Sequence, residues 1–358
     1  MMLLRLQKGG AVEVFDRAPR GHGRASALLQ QLRAVLRYTA TLRGSPHCVV
    51  YLGLSGGLGQ AIDALYVVAA RMLRRQVYVH HHSYAYLNRP SPISRVVFWL
   101  LRDAVHIVLS DGMGAALAQR YRISDGQIRV VSNAAFLGPP PPLEVAEALV
   151  VAPPMTAESP PPGASPPGAL PPIRIGFLSN ITFDKGLVEF FDVLTQLRQR
   201  SVAYQATIAG PVAADAQATF DRLLGAAEQV DYVGPVYDEA KSAFYRRLDI
   251  LLFPTRYANE AEPLVVHEAL RCGVYVFACA RGAIAELLAN GAGTVFDQAG
   301  YVTSTAAGIA QLAGDRAQRL RVREQAFTQA QRLQLRAEAE LGDLIRQIHW
   351  GAATTDAQ

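Results

Sequence analysis

The sequence predicts an α/β protein of two consecutive doubly wound parallel sheets, each Rossmann-like. Three observations carry that prediction. Short apolar runs rich in β-branched residues alternate with amphipathic helical stretches along almost the whole chain. A proline-rich segment interrupts the alternation near its middle. At 358 residues and 50% hydrophobic content, the chain can fill two ordinary cores.

Before the interruption, VEVFD (12–16), HCVVYLGL (47–54), VYVHHH (77–82), HIVLS (106–110) and IRVVSN (128–133) read as strands, with helical stretches such as SALLQQLRAVLRYTATL between them. Residues 138–172 then hold 13 of the 21 prolines, in PPPP, APP, SPPPGASPPG and LPP. Such a segment is extended and semi-rigid and contributes no core, so it marks a domain boundary. The expected parts are an N-terminal domain (1–137), the linker (138–172), a C-terminal domain (173–335) and a helical tail (336–358). Beyond the linker the strands are IRIGFLS (173–179), YQATIAG (204–210), QVDYVG (229–234), DILLFPT (249–255), VYVFAC (274–279) and GTVF (293–296).

Composition narrows the class. Cys48, Cys272 and Cys279 are odd in number and at no metal spacing, which reads as reduced core thiols. No apolar stretch is long enough to span a bilayer, and MMLLRLQKGG is too short and too soon polar for a signal peptide. The expected location is therefore cytoplasmic. Charge is uneven: residues 1–136 carry 17 Lys+Arg against 6 Asp+Glu, the remainder 18 against 24. A cationic first half suits an anionic acceptor or the inner membrane face, against the plainer reading of solvated arginines. Nucleic acid is not expected, because the arginines lack aromatic interleaving.

The chemistry concentrates in NEAEPLVVHEALRCG (259–273). Pro263 suits a helix start, and Leu264, Val265, Ala269 and Leu270 read as the buried stripe of the helix that follows. The amides of its first turn, at the positive end of the dipole, make an anion site at the carboxyl end of a strand. Glu268 lies one turn on and can accept from ribose hydroxyls; Glu260 precedes the helix and is free to approach a sugar. Helix-start stabilisation would account for Glu260 or Glu262, but not for Glu268 in mid-helix.

At these residues the chain resembles the retaining glycosyltransferases of family 4, which have the two-domain GT-B fold with its sheets facing a cleft. The shared elements are FPT, Glu260, Glu268-Ala269, Gly273 and VYVFAC; upstream, IRIGFLSNITFDKGLVEFFDVL, YQATIAGP and VDYVGPV follow in the family's order, and VYVHHHSY, HIVLSDGMGAAL and IRVVSNAAF extend it into the first half. The resemblance implies transfer of a hexose from a nucleotide sugar (UDP- or GDP-linked) to a glycan or lipid-linked acceptor in polysaccharide or glycolipid biosynthesis, without a cofactor or metal. It places Lys185, Glu268 and the amides of Leu264 and Val265 on the donor, Glu260 on its sugar, and a histidine of HHHSY near the transferred sugar. His82 is the first choice for that histidine and His81 the second. Three neighbours on a strand cannot converge on one metal ion.

Departures from the pattern matter as much. Phe177 stands where the family often has a phosphate-binding arginine, and Ser179 and Asn180 are the candidate neutral replacements. Ala261, Glu262 and Pro263 stand where the family has Gly-Phe-Gly, so Pro263 removes an amide donor and Glu262 brings a negative charge beside the expected diphosphate, with Arg256 a candidate neutraliser. VEVFD aligns with the family's second strand, so the first strand and its Gly-rich loop are expected to be absent. GLSGGLGQ (53–60) is a ligand loop or a tight connection. The rival readings are a nucleotide-sugar 2-epimerase of the same fold and a non-catalytic protein binding nucleotide sugar or a partner glycosyltransferase.

Overall fold

The computed structural model describes residues 12–15, 24–57, 59–143 and 170–355. Contacts group the chain into one unit of Met1–Leu137 with Leu335–Gln358, and a second of Gly138–Gln334. The described linker residues 138–143 and 170–172 thus belong to the second unit, and the tail from Leu335 belongs to the first. The rest of the proline-rich segment, and MMLLRLQKGG, lie outside the described residues.

In the first unit, β1 (Val50–Leu54), β2 (Val77–His81), β3 (Val105–Val108) and β4 (Ile128–Val130) form a parallel sheet in the order β1-β2-β3-β4. β2 is buried at every position, as a central parallel strand covered on both faces must be. The expected strand at VEVFD is a correction: residues 12–15 form no strand, and Asp16 lies outside the described residues. A period-two pattern over five residues is too short to specify a strand without a paired neighbour. The helices Pro92–Leu100 and Asp111–Tyr121 begin where local chemistry predicts. Ser91 accepts from Ser94 N (3.0 Å) ahead of Pro92, and Ser110 accepts from Met113 N (3.2 Å).

In the second unit, β5 (Ile173–Leu178), β6 (Tyr204–Ala209), β7 (Val230–Tyr232), β8 (Ile250–Phe253), β9 (Tyr275–Cys279) and β10 (Gly293–Phe296) are parallel in the order β10-β9-β8-β5-β6-β7. The chain moves outward from β5 to β7, then returns to pair β8 on the other side of β5. That reversal is a topological switch point, where loops leave adjacent strand ends in opposite directions and open a crevice. Arg174 ties the amino ends of these two strands through both oxygens of Asp249 (2.7 and 3.1 Å). One core layer packs around Phe177, Phe190 and Ile208, the other around Leu251, Val266 and Leu270. A single helix, Arg316–Thr355, closes the chain and passes from the second unit into the first, where Arg336 pairs with Asp111 (2.8 Å).

Cys272 and Cys279 are buried free thiols; Cys48 is free but only half-buried. No helix of the described residues is long and apolar enough to cross a membrane.

Candidate functional site

The loops that follow β5 and β8 meet at the switch point. After β5, Thr182 accepts from Lys185 N (3.2 Å) and caps a single 3-10 turn, Phe183–Lys185. Gly186 follows with φ +86°, and a Cβ there would lie 2.4 Å from the carbonyl oxygen of Pro254 at the end of β8. Only glycine allows both the backbone angle and the approach. The two loops therefore lock together, and Arg256 N donates to Asp184 O (2.7 Å) across them.

This brings Lys185 to Glu260. Lys185 Nζ lies 2.5 Å from Glu260 Oε2, and Thr255 Oγ1 donates to the same oxygen at 3.2 Å. The ammonium also sits 4.9 Å from the Tyr257 ring centre. The Glu260 loop is fixed from the far side by Gly282 (φ +48°), where a Cβ would fall 2.3 Å from the carbonyl oxygens of Glu260 and Ala261. Ala283 N donates to Ala261 O (2.8 Å) beside it.

The helix Leu264–Arg271 starts immediately after Pro263, so the N–H groups of Leu264 and Val265 lie ahead of its internal hydrogen-bond ladder. Its buried stripe differs from the expected one. Val266, His267, Ala269 and Leu270 are buried, whereas Leu264 is 45% exposed and Val265 is partly so. Pro263 acts as the cap rather than the first helical residue, which turns the start of the stripe outward. Glu268 is held by groups the sequence reading missed: Lys241 Nζ donates to Oε1 (2.6 Å) and Tyr245 OH to Oε2 (3.1 Å). Burial and the adjoining carboxylate push the Tyr245 phenol well above its usual pKa, so it remains a donor. The signal was present, since Lys241 is one of three lysines and stands four residues before Tyr245 on one helix face.

Two further corrections concern charge. Glu262 is 5% exposed, and its carboxylate accepts from His267 Nε2 at 3.0 Å. Arg256 is not its neutraliser, since it pairs with Glu189 (3.3 Å). Phe177 lies in the core against Phe190, with ring centres 5.1 Å apart. Of its candidate replacements, Asn180 is exposed, while Ser179 is buried and its hydroxyl donates to the Asn180 carbonyl (2.9 Å). In that arrangement Ser179 Oγ has only lone pairs left, which do not stabilise an anion.

In the first unit, the three histidines take different environments. His82 is exposed just past the end of β2, its ring centre 4.0 Å from that of His80. His81 is fully buried, with Nε2 3.0 Å from His106 Nδ1 and Nδ1 2.8 Å from Tyr86 OH. Burial drives its pKa well below the ordinary histidine value, and His106 is lowered to about 4 by the same cause. His81 is thus a core histidine. The glycine-rich turn 53–60 is tied by its own helix, Ser55 N donating to buried Asp63 Oδ2 (2.7 Å), and takes the tight-connection form. Among the described residues, no group of three or more His, Cys, Asp or Glu could hold a metal ion.

Residues 168–329 match the family model described as glycosyl transferases group 1. No curated protein sequence matches the chain. Among solved structures the chain is similar to Anabaena Alr3699/HepE in complex with UDP, with a TM-score of 0.59 and 19% identity over 96% of this chain and 85% of that one. Sucrose-phosphate synthase (tll1590) from Thermosynechococcus elongatus gives 0.64 and 17%, over 93% and 82%. A glycosyltransferase from Rickettsia africae ESF-5 gives 0.62 and 12%, over 92% and 84%. The fold is that of GT-B glycosyltransferases, and the match over residues 168–329 supports a glycosyltransferase.

Proposed function

We propose that the chain is a retaining hexosyltransferase of the family 4 type, acting in the cytoplasm on a UDP- or GDP-sugar and a glycan or lipid-linked acceptor. The observation that carries this reading is the convergence of Lys185 and Glu260 at the β5/β8 switch point, ahead of a helix whose fifth residue is Glu268. Glycosyl transfer needs positive charge where the diphosphate leaves, and acceptors for ribose and sugar hydroxyls beside it. Alr3699/HepE is described with UDP, with UDP and glucose, and with UDP-glucose, which supports a uridine donor ahead of a guanosine one.

In this reading Lys185 and the amides of Leu264 and Val265 meet the diphosphate as its negative charge grows, so neither metal nor cofactor is required. Glu268 holds the ribose, oriented by Lys241 and Tyr245. Glu260 positions the sugar once the donor takes over Lys185, Asn180 borders the diphosphate with Ser179 behind it, and His82 is the first unit's contact to the sugar.

Thermal stabilisation by UDP-, GDP- and ADP-sugars, repeated with Glu268→Ala and Lys185→Ala, tests the site. A shift with one nucleotide class that both substitutions abolish is expected, followed by turnover with an acceptor. The burial of Phe177 favours a second reading, a protein that binds nucleotide sugar or a partner glycosyltransferase without transferring the sugar. Binding without donor turnover or hydrolysis would select it.

A further inference from the structure

We propose that the outer face of the helices Arg24–Gly44, Gly59–Met72 and Pro92–Leu100 is a docking surface for an anionic lipid bilayer. The three helices lie side by side. Tyr38 of the first packs on Tyr66 of the second, with ring centres 5.0 Å apart, and Ser94 of the third donates to Gln60 of the second (2.7 Å). Each buries one face and leaves a second apolar stripe in solvent. On the first it is Leu29, Leu32 and Leu36; on the second, Leu65, Val68 and Met72 repeats the same i, i+3, i+7 spacing; on the third, Val96 and Trp99 are one turn apart. Met72 is 80% exposed, Leu36 69% and Trp99 62%. Scattered exposed leucines need no explanation, but periodic apolar stripes on three adjoining helices do.

Charge identifies the occupant. Residues 24–102 contain ten arginines and a single acid, Asp63, which is buried under the glycine-rich turn. Arg33, Arg37, Arg74, Arg95 and Arg102 are exposed beside the stripes. Two exposed acids flank this span: Glu13, which accepts from Thr41 of the first helix (3.4 Å), and Asp103, which is paired with Arg71 (2.9 Å) and Arg102 (3.5 Å). Arg102 lies 5.5 Å from the centre of the Trp99 ring, a pairing of an interfacial aromatic with a cation that reaches headgroups. Apolar residues that enter the acyl boundary, rimmed by arginines that outnumber the surface carboxylates, are what an anionic leaflet binds. A second copy of the chain fits poorly, because the face would bring an excess of arginines against arginines. The inference does not rest on the donor site, so the two stand or fall separately.

The test is flotation of the full chain with vesicles of phosphatidylcholine alone or mixed with phosphatidylglycerol, with Trp99 emission read in a Trp350→Phe background. Binding only to the anionic vesicles, with a blue shift of Trp99, is expected. Met72→Gln with Trp99→Ala, and separately Arg33→Glu with Arg37→Glu, each weaken it by about tenfold or more. All four positions are solvent-facing, so circular dichroism stays unchanged. No binding to anionic vesicles overturns the proposal. So does binding indifferent to the apolar pair, or a concentration-dependent dimer that the same substitutions abolish.

Discussion

Lys185 Nζ and Glu260 Oε2 are 2.5 Å apart, with side chains only 24% and 12% exposed, so the proposed phosphate cation and sugar carboxylate neutralise each other when no donor is bound. A diphosphate has to compete with Glu260 for the lysine. Removing the two partners should then act in opposite directions on nucleotide binding. Lys185→Met deletes a charged contact worth about 1.5–3 kcal/mol and weakens UDP by roughly 10- to 100-fold. Glu260→Gln frees the lysine, tightens UDP by about threefold, and lowers turnover of the sugar donor. Calorimetric titration with UDP decides this, and equal weakening by both variants would show that the pair is only structural.

Glu268 makes a second, independent prediction, because both its oxygens are already engaged from the helix Asp238–Arg246. Lys241→Ala leaves a mostly buried carboxylate without its cation and allows the side chain to swing. A ribose contact is the same in ground and transition states, so its loss raises KM and leaves kcat nearly unchanged. The expected rise is about 5- to 30-fold for Lys241→Ala, and about fivefold for Tyr245→Phe, from a contact of ~1 kcal/mol. Steady-state kinetics at varied donor separates the two parameters; a fall confined to kcat would sink the positioning role.

What the sequence made legible divides along the reach of its signals. Strands β5 to β10 and the helix after Pro263 were readable, since buried parallel strands are continuous apolar runs and helix starts carry local caps. The placement of Glu260 before that helix and of Glu268 within it was readable from Pro263. The partners of those carboxylates were not, because Lys185 and Lys241 reach them from 75 and 27 residues away and spacing says nothing at that range. Glu262 was misplaced for a related reason: a carboxylate before a helix reads as solvent-facing unless a histidine five residues on is known to turn inward. The strand expected at VEVFD failed at the opposite limit, since its described residues 12–15 pair with no strand among the described residues.

Glu262 and His267 are nearly dry, with side chains 1% and 3% exposed, and removing one partner of such a pair is costlier than removing both. His267→Leu takes the ring N–H from a buried carboxylate and should lower stability by about 3 kcal/mol, seen as a lower Tm. Glu262→Gln keeps a hydrogen bond to the ring and should cost under about 1 kcal/mol. Because the carboxylate is buried and engaged by His267, Glu262→Gln is expected to leave UDP affinity unchanged. A tenfold gain in affinity would place that charge on the diphosphate after all.

His81 and His106 predict how the first unit responds to acid. Both rings are buried and neutral, His106 with its pKa lowered to about 4 and His81 well below the ordinary value of 6.5. Unfolding restores the ordinary value, so between about pH 6.5 and 4 the unfolded chain binds more protons than the folded one. Stability therefore rises with pH across that window and is lost as pH falls through it, by up to about 1.4 kcal/mol per pH unit for each ring. His106→Gln can still hydrogen-bond His81 Nε2 and removes one of the two titrations. Melting curves from pH 7.5 to 5, followed by circular dichroism, should show a Tm that falls with acid in the parent chain and falls less steeply in the variant. Parallel curves would mean that His106 is protonated in the fold, and that the bond to His81 is an imidazolium contact instead.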